Sequence, residues 1–342
     1  MKTRKKRDKV GVQDIAAYLN ISASTVSRAL NDHPRISKET KERVMAAATK
    51  LGYHPGIPEL MAPEKVEAVA VILPSLDTAF HRELAAGITN YFSLHHYHTF
   101  IIDSQGDLRK EELFLKTHKK YGLSGIIHLV SNKNLSPDFY SPALHEKLPL
   151  VTVCEPEQET GISSVLPDMF QGFYKIVNYV KTLNIRSIML ILEDPDNTID
   201  SHLSGSLTDA VETAYPELES LHIHYYDRDT GSFSKQIKTL LDKKEMPELL
   251  LVKDTLSALE VYSLAERKGI KIPEDFLLVA IGSDYKLETL GANLSLLKLP
   301  GFALGNEAAE MLYKQIKDPG NEKQSSILPV NFILKSSSIR LD

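Results

Sequence analysis

The chain has 342 residues, too many for one ordinary core, so two or three folding units are expected. Hydrophobic residues make up 42% and charged residues 25%, a balance typical of globular chains, and no run of about eighteen apolar residues offers a membrane span. A lone cysteine, Cys154, excludes a disulfide framework and a multi-cysteine metal site. The basic start "MKTRKKRDK" has no apolar segment after it, so it does not read as a secretory signal, and a cytoplasmic protein is expected.

The net charge of −5 is unevenly spread. Residues 1–56 hold twelve Lys/Arg against five Asp/Glu, which leaves 28 against 40 for the rest. A basic head on an acidic body points to a polyanion as the head's partner, with a solvated charge run as the bland alternative.

The first elements are short helices. "VQDIAAYL" places Ile15, Ala16 and Leu19 on one helical face. Asn20 and Ile21 connect it to Ser22, a good N-cap for the helix in "ISASTVSRALN". There Val26, Ala29 and Leu30 are spaced to point inward, and Ser24, Ser27, Arg28 and Asn31 fall on the opposite face. Ser37 then caps a third helix, "KETKERVMAAATKL", closed by Gly52. Two helices around a tight turn, with a third in support, make a helix-turn-helix unit. Its small polar face suits the DNA major groove, where hydroxyls bond phosphates and Arg28 reaches a guanine edge or a phosphate.

The stretch "VQDIAAYLNISASTVSRALNDHPRISKETKERVMAAATKLGYHP" resembles the DNA-binding head of LacI/GalR-type bacterial transcriptional regulators. The pairing of "TVSRALN" with the closing "LGYHP" carries that resemblance. It implies that the second helix is the recognition helix. Ala23 and Ser24 then correspond to residues that select operator bases, and Arg28 to a base-contacting arginine. Ser22, Thr25, Ser27 and Asn31 correspond to DNA-backbone contacts or helix supports.

Residues 57–66 read as a linker, because the prolines at 55, 58 and 63 break any long helix. In the resembled family this segment commonly forms a hinge helix in the minor groove, where a leucine wedges between base steps. Here "IPELMAP" departs from the usual run, with Glu59 where negative charge is unfavourable and Leu60 or Met61 as the wedge.

From residue 67, strand-like stretches such as "AVAVILP", "GIIHLVS", "SIMLILE", "ELLLVKD" and "FLLVAIGSD" alternate with helix-like ones such as "HRELAAGITNYFSLH", "MFQGFYKIVNYVKTL" and "GSLTDAVETAYP". Near-continuous apolar strands between helices imply parallel sheets covered on both faces, with ligands beyond the strands' carboxyl ends. The order is similar to the family's two-lobed periplasmic-binding-protein-like body. The expected architecture is thus an all-α helix-turn-helix head (1–56), a linker (57–66) and an α/β body of parallel, doubly wound sheets (67–342). The resemblance puts the first lobe at about 67–161 and 292–322, and the second at about 162–291 and 323–342. "SSILPVNFILKSSSIR" would be the last lobe-crossing strand.

The resemblance implies a small molecule between the lobes and a dimer formed by the body. Ser75, Asp77 and Phe80 lie where the family often has polar and aromatic effector contacts. Asp168 keeps part of a frequent pattern, His202 stands where many sugar-binding relatives carry arginine, and Lys253 replaces an asparagine beside Asp254. Asp284 stands in the last of these positions. Loss of the arginine and asparagine weakens a simple sugar reading, and Lys253 with His202 would suit an anionic or phosphorylated effector; interlobe contacts alone are the other reading.

The histidines of "HHYH" and "HIH" lack metal-ligand spacing, Cys154 has no evident base beside it, and phosphate-loop, dinucleotide and nucleophile-elbow motifs are absent. No catalysis, cofactor or metal is expected. The expected protein is a dimeric, operator-binding transcription regulator controlled by a metabolite. A regulator without a small-molecule effector, or a solute-binding protein on the same body, is the alternative.

Overall fold

The computed structural model describes residues 12–30, 33, 36–51, 67–132, 134–136, 138–154, 161–226, 232–243, 245–283, 293–320 and 322–340. The chain divides into two compact units, Met1–Val66 and Glu67–Asp342. The expectations placed on the basic N-terminal segment, Asn31, the linker with Glu59, Leu60 and Met61, and Asp284 lie outside the described residues.

In the first unit, helices α1 (Val12–Leu19), α2 (Ala23–Leu30) and α3 (Lys38–Leu51) surround a core of Ile15, Ala16, Val26, Ala29, Val44, Ala47 and Ala48. Four of these seven are alanines, which lets the short helices approach closely around few large side chains. Asn20 adopts a left-handed φ of 55°, a conformation asparagine tolerates, and so ends α1 and turns the chain towards α2. The Ser22 and Ser37 hydroxyls accept the N–H groups of Thr25 (3.1 Å) and Thr40 (3.3 Å), satisfying donors that the first turns of α2 and α3 leave open.

The body holds two six-stranded sheets. Its first stretch runs β1 (Ala68–Leu73), α4 (Ala79–Leu94), β2 (His98–Asp103), α5 (Leu108–Thr117), β3 (Gly125–Leu129), α6 (Ser141–His145), β4 (Leu150–Val153) and β5 (Ser163–Asp168). The second runs α7 (Met169–Thr182), β6 (Ser187–Leu192), α8 (Thr198–Ala214), β7 (Ser220–Tyr225), α9 (Ser232–Lys243), β8 (Leu249–Lys253), α10 (Thr255–Arg267), β9 (Leu277–Gly282) and β10 (Ser295–Lys298). Helix α11 (Gly301–Lys317) and strands β11 (Ser325–Pro329) and β12 (Asn331–Ile333) complete the fold. The sheet orders are β2-β1-β3-β4-β5-β11, all parallel, and β7-β6-β8-β9-β10-β12, parallel except for the antiparallel β12. Each order reverses direction beside the first strand of its sheet, β1 or β6, and such a switch point opens a crevice at the strands' carboxyl ends.

Strands β1, β3 and β9 are buried along their whole length, as expected for strands covered on both faces, whereas the edge strand β2 is largely exposed. Helices α4 and α11 pack with almost no space between them. A Cβ on Gly87 would lie 2.2 Å from the Phe302 carbonyl oxygen, and one on Gly305 would lie 2.1 Å from that of Leu84. Only glycine permits such an approach.

The lobe boundaries differ from those expected. Residues 163–168 form β5, which pairs with β4, so the chain first changes lobes at Asp168–Met169 and not near 162. Strand β10 pairs with β9, so the return falls between Lys298 and Gly301, not near 292. The last crossing lies at Val330, between β11 in the first sheet and β12 in the second. The physical reason is that each sheet adds its neighbouring strand before release, because an apolar strand left at the edge would stay unpaired. Helix α8 also begins earlier than expected, at Thr198, because Asn197 caps it by accepting the Asp200 N–H at 3.2 Å.

Candidate functional site

On the head, Ala23, Ser24, Ser27 and Arg28 are exposed while Val26 and Ala29 face the core, so one face of α2 presents small polar side chains around a single guanidinium. Thr25 is half-buried, and its hydroxyl lies 2.8 Å from that of Ser22, which also lies 2.8 Å from the Ser24 hydroxyl. Ser22 is therefore first a helix cap that organises the start of α2. Ser24, Ser27 and Arg28 remain outward on a helix held by its apolar side.

In the body, a cleft of about 700 Å³ lies between the lobes, within the size range of small-molecule sites. The carboxyl ends of β1, β2 and β3 with the described residues just after them form one wall, and those of β6, β8 and β9, as far as Ser283, form the other. The lobes touch beside it. Asn132 and Asn197 form an antiparallel bridge, Thr198 donates its N–H to the Ser131 carbonyl (3.2 Å), and Asn134 donates to Asp196 (3.1 Å). The Ser283 hydroxyl donates to Glu83 of the other lobe, another interlobe contact.

Of the expected effector residues, the structure brings Ser75, Asp77, Phe80, Lys253 and Asp254 to the cleft. Ser75 organises its own loop, accepting the Asp77 N–H at 3.2 Å, and Phe80 is a buried aromatic in the wall. Asp254 adopts a left-handed φ of 64°, which turns the chain from β8 into α10 and lets its carboxylate cap that helix through Ser257 N–H (2.8 Å) and Oγ (3.1 Å).

Asp168 and His202 are not among the lining residues. Asp168 caps α7 at the first lobe crossing by accepting the Gln171 N–H at 3.0 Å. His202 sits inside α8, and burial pushes its pKa below the usual imidazole value, which favours the neutral ring. Lys253 is held by an ion pair with the buried Asp200 and lies 3.7 Å from Glu193. The other Asp200 oxygen accepts the N–H groups of Glu193 and Asp194, each at 2.9 Å. The expected pairing of Lys253 with His202 around an anion is thus not formed: one cation is neutralised in place and the other ring lies outside the cleft.

Sequence reading missed Asp103, Ser131, Glu193 and Asp194, all of which line the cleft. Their signal was their place one to three residues around the carboxyl end of a predicted strand, the position where open α/β sheets collect ligand contacts.

A three-helix head with an outward polar helix face, followed by two doubly wound lobes around a ligand-sized cleft, defines the class of helix-turn-helix transcription regulators with a periplasmic-binding-protein-like body. Residues 11–56 match the profile described as "Bacterial regulatory proteins, lacI family", and residues 177–338 match that of a periplasmic binding protein-like domain. The chain thus joins a lacI-family head to a periplasmic binding protein-like domain, and the relatives it resembles are lacI-type regulators. It is 26% identical to the HTH-type transcriptional regulator pepR1 of Lactobacillus delbrueckii subsp. lactis, over 96% of this chain and 98% of the relative. The ribose operon repressor of Bacillus subtilis is likewise 26% identical, over 97% of this chain and 99% of that one. Among solved structures, a LacI family regulator from Enterococcus faecium with bound ribose superposes with a TM-score of 0.69 at 19% identity, covering 81% of this chain and all (100%) of that one. The CelR–cellobiose complex gives 0.67 at 18% identity, over 96% of this chain and 100% of that one. No helix among the described residues is long and apolar enough to cross a membrane.

Proposed function

We propose that this protein is a cytoplasmic, dimeric transcription regulator that represses from a pseudo-palindromic operator and answers to a small molecule held between its lobes. The observation that carries the DNA reading is the exposed face of α2, with Ser24, Ser27 and Arg28 outward on a helix locked by Val26 and Ala29. Such a face enters the major groove, and a dimer places two of them on adjacent half-sites. Ala23 and Ser24 are short, so Arg28 carries most of the base contact, with Ser22, Thr25, Ser27 and Asn31 as supports and Leu60 as the minor-groove wedge. A gel shift with genomic fragments tests this: the wild type retains a specific fragment in a salt-dependent manner and Arg28→Ala does not. Retention that is equal for both proteins refutes it.

The dimer reading rests on the first lobe's edge. Strand β2 ends its sheet with Phe100 and Ile101 exposed, and Leu113 of α5 is exposed as well, an apolar edge that a second copy covers. Sedimentation of the wild type and of a Phe100→Lys/Leu113→Lys variant checks it, the variant falling to monomer.

The cleft is the effector site in this reading. Two structural relatives were solved with ribose and with cellobiose, which supports a polar metabolite. A ligand that touches both walls stabilises one lobe angle over the other and so biases the heads between bound and released states. Enzyme and solute-binding readings find less support, since the named relatives are regulators.

A further inference from the structure

The cleft contains more fixed negative charge than its single lysine offsets. Asp77 and Asp103 line it from the first lobe, and Glu193, Asp194 and Asp254 from the second. Lys253 is the one Lys or Arg among the described lining residues, and its ammonium is paired with Asp200, whose side chain is fully buried. Several of these carboxylates also serve the fold: Asp103 accepts the Gln105 N–H (3.0 Å), Asp194 that of Asp196 (2.8 Å), and Asp254 the two Ser257 groups.

We infer that the cleft takes a small organic cation, a molecule bearing one or more ammonium groups, seated between the carboxylates of the two lobes. This rests on the reading of the cleft as the effector site and specifies the chemistry that fills it. Three observations apart from the acidic residues point to such a ligand. The volume of about 700 Å³ fits an organic molecule, and no three His, Cys, Asp or Glu among the described residues converge as metal ligands. Ser131 lines the same cleft, is 8% exposed, and its buried Oγ has no hydrogen-bond partner, so an acceptor or donor for a ligand hydroxyl or amine is already in place. Phe80 adds a buried aromatic to the wall, a surface that attracts ammonium groups. An anion would meet like charge on both sides.

The same charges explain how binding closes the lobes. Asp77 and Asp103 on one wall repel Glu193 and Asp194 on the other as the cleft narrows, and a cation between them turns that repulsion into attraction from both sides. The Asn132–Asn197 bridge and the Asn134–Asp196 bond already join the two lobes beside the cleft.

Isothermal titration and thermal shift on the full chain, with spermidine, glucosamine, ribose and glucose 6-phosphate as probes, test the inference. An amine is expected to bind at one site per chain, with affinity falling as salt rises. Asp77→Asn/Asp194→Asn is expected to weaken that binding about tenfold or more, and Glu212→Gln, on the exposed side of α8, to leave it unchanged. Binding of ribose or glucose 6-phosphate without either amine overturns the cation and leaves the effector cleft standing. Amine binding that the double variant does not weaken overturns the site, and no binding by any probe overturns both readings.

Discussion

Replacing Lys253 by methionine isolates what that residue does. The substitution keeps most of the side chain's apolar length and removes the ammonium that faces Asp200. Asp200 is fully buried and keeps two N–H donors, from Glu193 and Asp194 at 2.9 Å, but loses its countercharge. Two unit charges about 4 Å apart attract by about 4 kcal/mol at an effective dielectric of about 20. The lysine side chain is 20% exposed, which screens part of that, and the two remaining hydrogen bonds hold part of the rest. The expected loss is therefore about 2.5 kcal/mol, below the 3–5 kcal/mol or so typical of breaking a wholly buried pair. With an m-value of about 3 kcal/mol/M for a body of this size, the urea midpoint followed by circular dichroism falls by about 0.8 M. Asp200→Asn alone costs a similar amount. The double variant costs much less than the sum, with a coupling of about 1.5 kcal/mol or more. A midpoint shift below about 0.2 M for Lys253→Met, or additive single variants, refutes the structural assignment and returns Lys253 to the ligand.

Gly305→Ala forces a Cβ to within 2.1 Å of the Leu84 carbonyl oxygen, so α4 and α11 must separate; a loss of about 2 kcal/mol or more is expected in the same urea experiment, with Gly205→Ala on α8, which meets nothing within 4 Å, as the neutral control. Ser22→Ala removes the cap of α2 and is expected to destabilise the head by about 1 kcal/mol, read as faster amide exchange at Thr25 and Val26 while exchange in the body stays the same. Burial holds the His202 pKa below 6.5, so between that lowered value and 6.5 the unfolded chain takes up a proton that the folded one refuses, and stability falls as pH drops through this window. His202→Gln is then expected to narrow the difference in urea midpoint between pH 7.5 and 5.5; an unchanged difference shows that the ring titrates normally in the fold.

The head was almost wholly legible in the sequence, because its determinants are local. Cap, apolar spacing and outward polar face all lie within one or two helical turns, so Ser22, Val26, Ala29 and Arg28 could be placed from periodicity alone. The alternation of apolar strands and helices likewise fixed the layer architecture of the body and pointed to the strands' carboxyl ends as the place for ligand contacts, where Ser75, Asp77, Phe80, Lys253 and Asp254 are found. Tertiary structure decided which of those contacts are available. Whether Lys253 meets a ligand depends on Asp200, which lies 53 positions away in sequence but joins the same strand ends through the pairing of β6 with β8. Whether His202 reaches the cleft depends on Asn197 starting α8 early and turning that residue into a helix. Charge in a cleft belongs to the surfaces that several distant loops bring together, and no local pattern encodes that sum. The lobe crossings followed the same logic, since a strand next to a crossing, such as β5 or β10, joins the sheet whose neighbouring strands complete its hydrogen bonds, β4 and β11 for β5, β9 and β12 for β10.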